Sequence, residues 1–484
     1  MNRVVCDLVN STQSNPKLIV HGYLLVKDKN RNEKYYWCCE YRKKLNCDGR
    51  AVTILEGEEH VLVKSNVHNH APEASRVDVT RTLNIIKEAA ISQTHDKPSQ
   101  IIQNTVVNMP QASYHNMPNK EALRRQISRV RNANIPPQPQ SLEDINIPAN
   151  LRLTISGEQF LAKEITLDEE RIIMFCTIPN LEYLQKAAFW IMDGTFKTVP
   201  TLFHQMYTIH ALVGNGNNSR VLPMVYALMT SKSKENYEQL FQELNNFSEE
   251  ATNQILEPPV IITDFEQAVI NVVQIEFPDS IHKGCFFHLC QNFWRKIQAL
   301  GLAIEYGESE DFSNKLRLIT ALAFLQPSEI PSAFDQIKPL MPPNTTELVQ
   351  YFEENYVHGK PRRRRFRNQA VTRNPPQFPP ELWSIYELID NGYPRTQNII
   401  EGWHQRWNTL IGRSHVGVYT IIDEMRKEQH QTELQIESII RGEERPYQRK
   451  HIIEYENRLL TVFNNRNSLS LLEFLRGIAH NISL

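Results

Sequence analysis

Ile191-Met192-Asp193-Gly194-Thr195-Phe196 and Val260-Ile261-Ile262-Thr263-Asp264-Phe265 each carry a run of strand-forming apolar residues onto an aspartate, and a helical Asn398-Ile399-Ile400-Glu401-Gly402-Trp403-His404 follows far downstream. Outward from the first phrase, Ala187 to Phe196, Gln205 to Val213 and Val221 to Met229 read as three successive strands. Around the second, Lys234 to Phe247 reads as a helix, Val260 to Phe265 as a strand, Glu266 to Phe277 as a helix and Ile281 to Phe287 as a strand. From Leu289 to about Arg395 the pattern is helical, broken by Pro-rich loops, and helix resumes near Gln397.

The order β-β-β-α-β-α-β predicts a ribonuclease-H-like α/β core whose first and fourth strands lie side by side in a mixed sheet. Asp193 and Asp264 then meet, with Glu401 supplied by the helix behind a helical insertion. Three acidic side chains from separate elements suit two Mg²⁺ or Mn²⁺ ions about 4 Å apart, which activate an attacking oxygen and stabilise the leaving oxygen of a phosphodiester. Asp193 is expected to bridge both ions, with Asp264 and Glu401 each holding one. On spacing alone a plainer alternative stays open, because an aspartate closing a strand is often a turn former or a helix cap.

At 484 residues the chain is too long for one core, so several domains are expected. It is 41% hydrophobic and 22% charged with a net charge of -2, so any DNA-binding surface must be local. No apolar run approaches the ~20 residues of a membrane span and the N-terminus lacks a secretory layout, which predicts an intracellular protein with no membrane partner. Nothing in the pattern calls for a small-molecule substrate. Seven cysteines, odd in number and unevenly clustered, fit reduced thiols and metal ligands better than a disulfide framework.

Residues 1–75 hold four of those seven cysteines and read as a small β module, with short strands beginning near Leu18, Tyr23, Tyr35, Ala51 and His60. Cys39 and Cys47 are separated by seven residues, and His68-Asn69-His70 follows. Two thiolates and two imidazoles make a closed tetrahedral site for one structural Zn²⁺, a staple that so small a core needs. Cys38 adjoins Cys39, and adjacent strand residues point to opposite faces, so only one of them points at the metal. Residues 76–135 turn helical in three pieces, Arg81 to Ser92, Pro98 to Val107 and Lys120 to Ala133, compatible with a helix-turn-helix, and end in a Pro-rich linker. Beyond it, residues 150–290 form the first part of the α/β core, 291–395 a helical insertion, 396–430 the final helix of the core and 431–484 a helical tail. The fold class expected is thus multidomain α+β.

The words around the acidic residues are more specific. Trp190 to Pro200, Thr263-Asp264-Phe265-Glu266-Gln267-Ala268, Gly284-Cys285-Phe286-Phe287-His288 and Arg395 to His404 resemble, in order, the transposase domain of Mutator-like elements (MULE), over roughly residues 150–430. The resemblance implies a ribonuclease-H-like fold and a DDE triad of Asp193, Asp264 and Glu401. It also implies a Cys-x-x-His pair, Cys285 with His288, near the active site. Gln397-Asn398 stands where the family commonly has Asn-Asn, a change that keeps an amide. The N-terminal module resembles the FLYWCH zinc finger, with Tyr23 in the leading aromatic position and Tyr36-Trp37 before Cys39. That register implies Cys39, Cys47, His68 and His70 as ligands, with Cys38 a possible substitute for Cys39.

Double-stranded DNA is the partner these modules imply. From Lys27 to Arg50 eight basic residues face four acidic ones, and Lys43 and Lys44 are candidate phosphate contacts; a solvated loop is the plainer reading. Arg124 and Arg125 lie on a third helical piece dense in cations. Lys360 to Arg373 holds seven cations and no acid, among them Arg362, Arg363, Arg364 and Arg365: a nuclear-localisation signal, a DNA contact or a plain basic loop. His404, one turn after Glu401, is placed to position DNA near the metals, whereas Trp383, Trp403 and Trp407 read as core. A second zinc site from His282, Cys285, His288 and Cys290 is not expected, because strand alternation separates them. The amphipathic tail packs on the catalytic unit or supports a homo-oligomer in a transposition complex. The function expected is a nuclear DNA transposase performing two-metal strand cleavage and transfer. The alternative is a domesticated, non-catalytic DNA-binding regulator.

Overall fold

The computed structural model describes residues 3–9, 16–93, 96–132, 137–362, 372–394, 398–445, 450–482 and 484. Two units divide the chain, Met1–Pro137 and Gln138–Leu484.

The first unit opens with seven strands: β1 (Val5–Cys6), β2 (Leu8–Val9), β3 (Lys17–Val20), β4 (Tyr23–Arg31), β5 (Lys34–Cys39), β6 (Arg50–Glu56) and β7 (Glu59–Ser65). They form one antiparallel sheet in the order β1-β7-β6-β5-β4-β3-β2. Two-residue turns set its register. His21-Gly22 and Asn32-Glu33 take positive φ at both positions, the backbone whose twist matches a hairpin. Leu18, Val20, Leu25, Trp37 and Ala51 pack beneath the sheet. The five expected strands are β3 to β7; β1 and β2 are too short to show a period.

Three helices follow, α1 (Ala74–Ser92), α2 (Pro98–Val106) and α3 (Lys120–Asn132), around Ile86, Ala90, Ile101, Ile102, Leu123 and Ile127. The α2–α3 connection includes a turn of 3-10 helix at Gln111–Asn116, so it is longer than the three- or four-residue turn of a tight helix-turn-helix. On α3, Leu123 and Ile127 face the core, one turn apart, and Arg124, Arg125 and Arg129 are exposed. Arg131 is not part of that face. Its guanidinium donates to the carbonyls of Ala90, Gln93 and Asp96 and so closes the C-terminal end of α1.

The second unit holds β8 (Leu161–Leu167), β9 (Glu170–Phe175), α4 (Ile178–Lys186), β10 (Trp190–Thr195), β11 (Gln205–Val213), β12 (Arg220–Met229), α5 (Lys234–Thr252), β13 (Val260–Thr263), α6 (Gln267–Glu276) and β14 (Ile281–Gly284). Its sheet order is β14-β13-β10-β11-β12-β9-β8. Strands β10, β11 and β12 are antiparallel neighbours, while β13 runs parallel to β10 and β14 parallel to β13. The first and fourth of the expected strands are therefore adjacent. Three elements were not read from sequence: β8, β9 and α4. The expected last strand, Ile281 to Phe287, stops at Gly284, because Cys285 caps a new helix, α7 (Phe286–Ala299).

More helices complete the unit: α8 (Ala303–Glu308), α9 (Glu310–Ala321), α10 (Ile330–Ile337), α11 (Thr346–Phe352), α12 (Pro380–Trp383), α13 (Tyr386–Asp390), α14 (Asn398–Ile411), α15 (Val418–Ile440), α16 (Lys450–Asn464) and α17 (Leu471–Asn481). Helix α15 runs unbroken through the boundary expected at 430/431. Both sheet faces are covered, which is why the central strands read as continuous apolar runs. Trp190, Met192 and Ile261 pack with Leu240, Phe241 and Val273 on one face. Ile191, Val260 and Ile262 pack with Phe286, Phe293, Phe324 and Trp383 on the other, in a core that also takes Leu459, Phe463 and Phe474 from the tail. No described helix is long and apolar enough to cross a membrane.

Candidate metal and catalytic sites

In the first unit, β5 delivers Cys39, the loop before β6 delivers Cys47, and the segment after β7 brings back His68 and His70. Their ligand atoms all lie within 4.8 Å of one another. Cys39 Sγ lies 3.2 Å from His70 Nε2 and Cys47 Sγ 3.4 Å from His68 Nδ1. A tetrahedral zinc site with bonds of about 2.1 and 2.3 Å has edges near 3.6 Å, so the cluster has the dimensions of a structural zinc site. Cys38, also buried, lies outside the cluster.

The surroundings fix the ligands. The backbone N–H groups of Tyr41 and Gly49 donate to the Cys39 and Cys47 sulfurs at 3.4 Å. His70 Nδ1 lies 3.0 Å from the Ala71 carbonyl, which favours the proton there and leaves Nε2 facing Cys39. Tyr23 stacks on His68 with ring centroids 3.7 Å apart and donates its hydroxyl to the His70 carbonyl at 2.9 Å. Gly49 lies against the His68 ring: a Cβ there would come within 2.4 Å of it. Burial pushes the Cys39 thiol up to about 11, so this thiol does not ionise readily without a cation.

In the second unit, the β10–β13 register pairs Ile191 with Ile262. Carried two residues on, it sets Asp193 level with Asp264, on the sheet face that Ile191 and Ile262 share. Glu401 comes from the first turn of α14. Burial first, then the Asp264 and Glu401 charges, push Asp193 up to about 8, although the Gly194 N–H donates to its Oδ1 at 2.8 Å. Asp264 and Glu401 are raised too, chiefly by burial, and Asp264 Oδ1 also accepts from the Glu266 N–H at 3.1 Å. Asp264 thus closes a local turn rather than capping α6, whose N-cap is Glu266 and carries no side-chain cap bond. Three carboxylates of raised proton affinity, with the charges of two acting on the third, suit divalent cations. They do not converge as tightly as the Cys/His cluster among the described residues. A two-ion site spreads its ligands over a wider span than one tetrahedral ion does.

Histidines line this site. His404 Nε2 lies 3.9 Å from Asp193 Oδ2, and His288 Nε2 lies 3.7 Å from Glu401 Oε1. Burial holds both near 4, so both are neutral at neutral pH. The Cys-x-x-His pair divides: His288 reaches the carboxylates, while Cys285 is fully buried in the apolar core, its N–H donating to the Thr263 carbonyl at 2.8 Å.

Sequence reading missed several residues here. Lys232 donates to Glu266 at 2.7 Å, lies 4.2 Å from the Phe196 ring centroid, and its charge lowers the proton affinity of both aspartates. Lys197, Gln405, Asn408 and Thr409 line an open cavity of about 660 Å³ beside Glu401. Glu428, buried on α15, accepts from Trp403 Nε1 at 2.7 Å and from Arg406, tying α14 to α15. A lone Lys or Glu in a helix or loop carries no periodic signal that would have found them. The tryptophans are core: Trp383, Trp403 and Trp407 are all buried, with the last two stacked.

Lys43 and Lys44 are exposed in the β5–β6 loop, and Arg42 and Arg50 beside them each lie 3.8 Å from Asp28. Arg362 is exposed and donates to Asn374 Oδ1 at 2.5 Å. Arg363, Arg364, Arg365 and Gln397 lie outside the described residues.

Residues 189–292 match the model of the MULE transposase domain, and residues 8–70 match that of the FLYWCH zinc finger domain. The pairing marks a transposase-like, DNA-binding protein. More particularly, the chain carries a MULE transposase domain behind an N-terminal FLYWCH zinc finger. The first match contains Asp193, Asp264, Cys285 and His288 and ends before Glu401. No curated protein matches the chain.

Proposed function

We propose that the protein is a nuclear DNA transposase that binds element ends and cuts and joins DNA strands at Asp193, Asp264 and Glu401. The observation that carries the reading is the parallel pairing of β10, which bears Asp193, with β13, which Asp264 directly follows, inside the MULE-matching segment, with Asp264 and Glu401 both close enough to raise the proton affinity of Asp193. The strand order β12-β11-β10-β13-β14, with three antiparallel strands and then two parallel ones, supports a ribonuclease-H-like core.

Two Mg²⁺ or Mn²⁺ ions, when bound, supply Lewis acidity that lowers the proton affinity of an attacking hydroxyl and neutralises charge on the leaving oxygen. Asp193, the most buried of the three and the one raised by both other charges, would hold the ions together with Asp264 and Glu401. The Lys232 charge lowers the proton affinity of both aspartates, opposing the burial that raises it. The cavity along α14, with Lys197 and the Gln405 and Asn408 amides, offers a path for a phosphate backbone beside Glu401. In the first reaction water adds to a phosphodiester and the 3′ oxygen leaves as a hydroxyl. In the second, that hydroxyl adds to a target phosphodiester and displaces the target's own 3′ oxygen.

In the finger, Cys39, Cys47, His68 and His70 hold one zinc ion. The exposed face of α3, with Arg124 and Arg125, and the β5–β6 loop, with Lys43 and Lys44, meet DNA phosphates. The test uses purified protein, Mg²⁺ or Mn²⁺ and DNA carrying the ends of its own element. Nicking and joining are expected and should vanish in Asp193→Asn. DNA binding without either reaction would instead identify a domesticated regulator.

A further inference from the structure

We propose that each imidazole is a direct ligand of a cation held at the carboxylates, His404 beside Asp193 and His288 beside Glu401, making this a mixed oxygen–nitrogen centre that prefers a transition metal such as Mn²⁺ to Mg²⁺. The proposal rests on the carboxylate reading above and adds the identity of further donors.

Three elements converge to supply them. Asp193 lies in the second half of β10; His288 lies in the first turn of α7, directly after β14; Glu401 and His404 sit at i and i+3 on α14 and so share a face. Each imidazole faces a different carboxylate, His404 facing Asp193 at 3.9 Å and His288 facing Glu401 at 3.7 Å. Both separations are too long for hydrogen bonds. Two ligand atoms on one cation, with bonds of about 2.1 Å, stand about 3 to 4 Å apart, and these pairs fall in that range.

The second observation is a missing partner. His404 Nε2, the nitrogen turned to Asp193, is buried and makes no hydrogen bond among the described residues; His288 Nδ1 is likewise unsatisfied. A buried nitrogen left unpaired is costly unless something completes it, and a cation between nitrogen and carboxylate does so for His404. Imidazole discriminates among cations. Mg²⁺ takes oxygen ligands and keeps its waters, whereas nitrogen donors favour first-row transition metals.

The experiment loads the full-length protein with Mn²⁺ and records electron spin-echo modulation. Nitrogen coupling from bound imidazole is expected in the wild type and should change on ¹⁵N-histidine labelling. It should be lost in His288→Asn/His404→Asn, with Mn²⁺ affinity falling tenfold or more and Mg²⁺ affinity changing less than threefold. Mn²⁺ bound through Asp193 without nitrogen coupling overturns the proposal and leaves the carboxylate reading standing. Mn²⁺ binding that is unchanged in Asp193→Asn overturns both. The wild-type spectrum needs no variant to fold.

Discussion

Trp407 donates its indole N–H to the Thr198 hydroxyl at 3.0 Å, and both side chains are buried. One bond thus fastens the helix bearing Glu401 to the segment leaving the Asp193 strand. Trp407→Phe keeps an aromatic ring and strands the Thr198 oxygen, so stability should drop by about 1 kcal/mol in urea unfolding. Strand cleavage should fall by more than that loss explains, because Glu401 loses its depth reference. Equal losses in both would deny the contact a positioning role.

Glu428 plays the matching part on the other side of α14. With Trp403 and Arg406 both directed at its buried carboxylate, Glu428→Ala leaves two donors without a partner. A destabilisation on the order of 3 kcal/mol is expected from chemical denaturation. A change under half a kcal/mol would mean that α14 is held mainly by packing.

Stability should fall as pH rises. Asp193 is pushed up to about 8 in the folded protein, whereas an aspartate in the unfolded chain ionises near 4. Between those values the folded state binds the extra proton, so the protein without added Mg²⁺ or Mn²⁺ should lose melting temperature steadily across that window. Asp193→Asn should flatten the slope, and added Mn²⁺ should raise the wild-type melting temperature most at the alkaline end. The buffers should contain no chelator, so that the finger keeps its ion. Parallel slopes for wild type and variant would refute the assignment.

In the finger, Gly49→Ala should reduce bound zinc as severely as Cys39→Ser does, although glycine ligates nothing, because the new methyl occupies the space of the His68 ring. Cys38→Ser should retain a full equivalent. Elemental analysis of purified protein separates the three, and loss of zinc only in Cys38→Ser would reverse the ligand choice.

Arg124→Ala/Arg125→Ala should weaken DNA binding evenly across sequences and make the slope of log affinity against log salt shallower by roughly 1.8. Arg131→Ala should instead destabilise the helical region, because its guanidinium closes α1. Binding titrations at several salt concentrations would expose a face that does not touch phosphate by an unchanged slope.

The central strands were legible because both of their faces are buried, leaving apolar runs that end on aspartates. The Cys/His spacing was legible because metal ligands are scarce residue types. Strand β8 escaped notice because it lies at the sheet's edge, where Leu161 to Leu167 mixes charged and apolar residues without strict alternation. Lys232, Glu428 and Arg131 act through partners distant in sequence, and nothing local distinguishes them from solvated charges. Extending the last strand to Phe287 failed for a related reason: Phe286 and Phe287 suit a strand, but the Cys285 cap starts a helix whose apolar face they join.

Because Glu401 arrives only on α14, the order of synthesis matters. A ribosome that has released residues 1–300 has delivered the zinc finger, the basic helix and both aspartate-bearing strands, but no glutamate. If the proposed function holds, a message truncated within the insertion encodes a product that keeps the DNA-binding modules and lacks the third carboxylate, a competitor of the full-length protein written into the same reading frame.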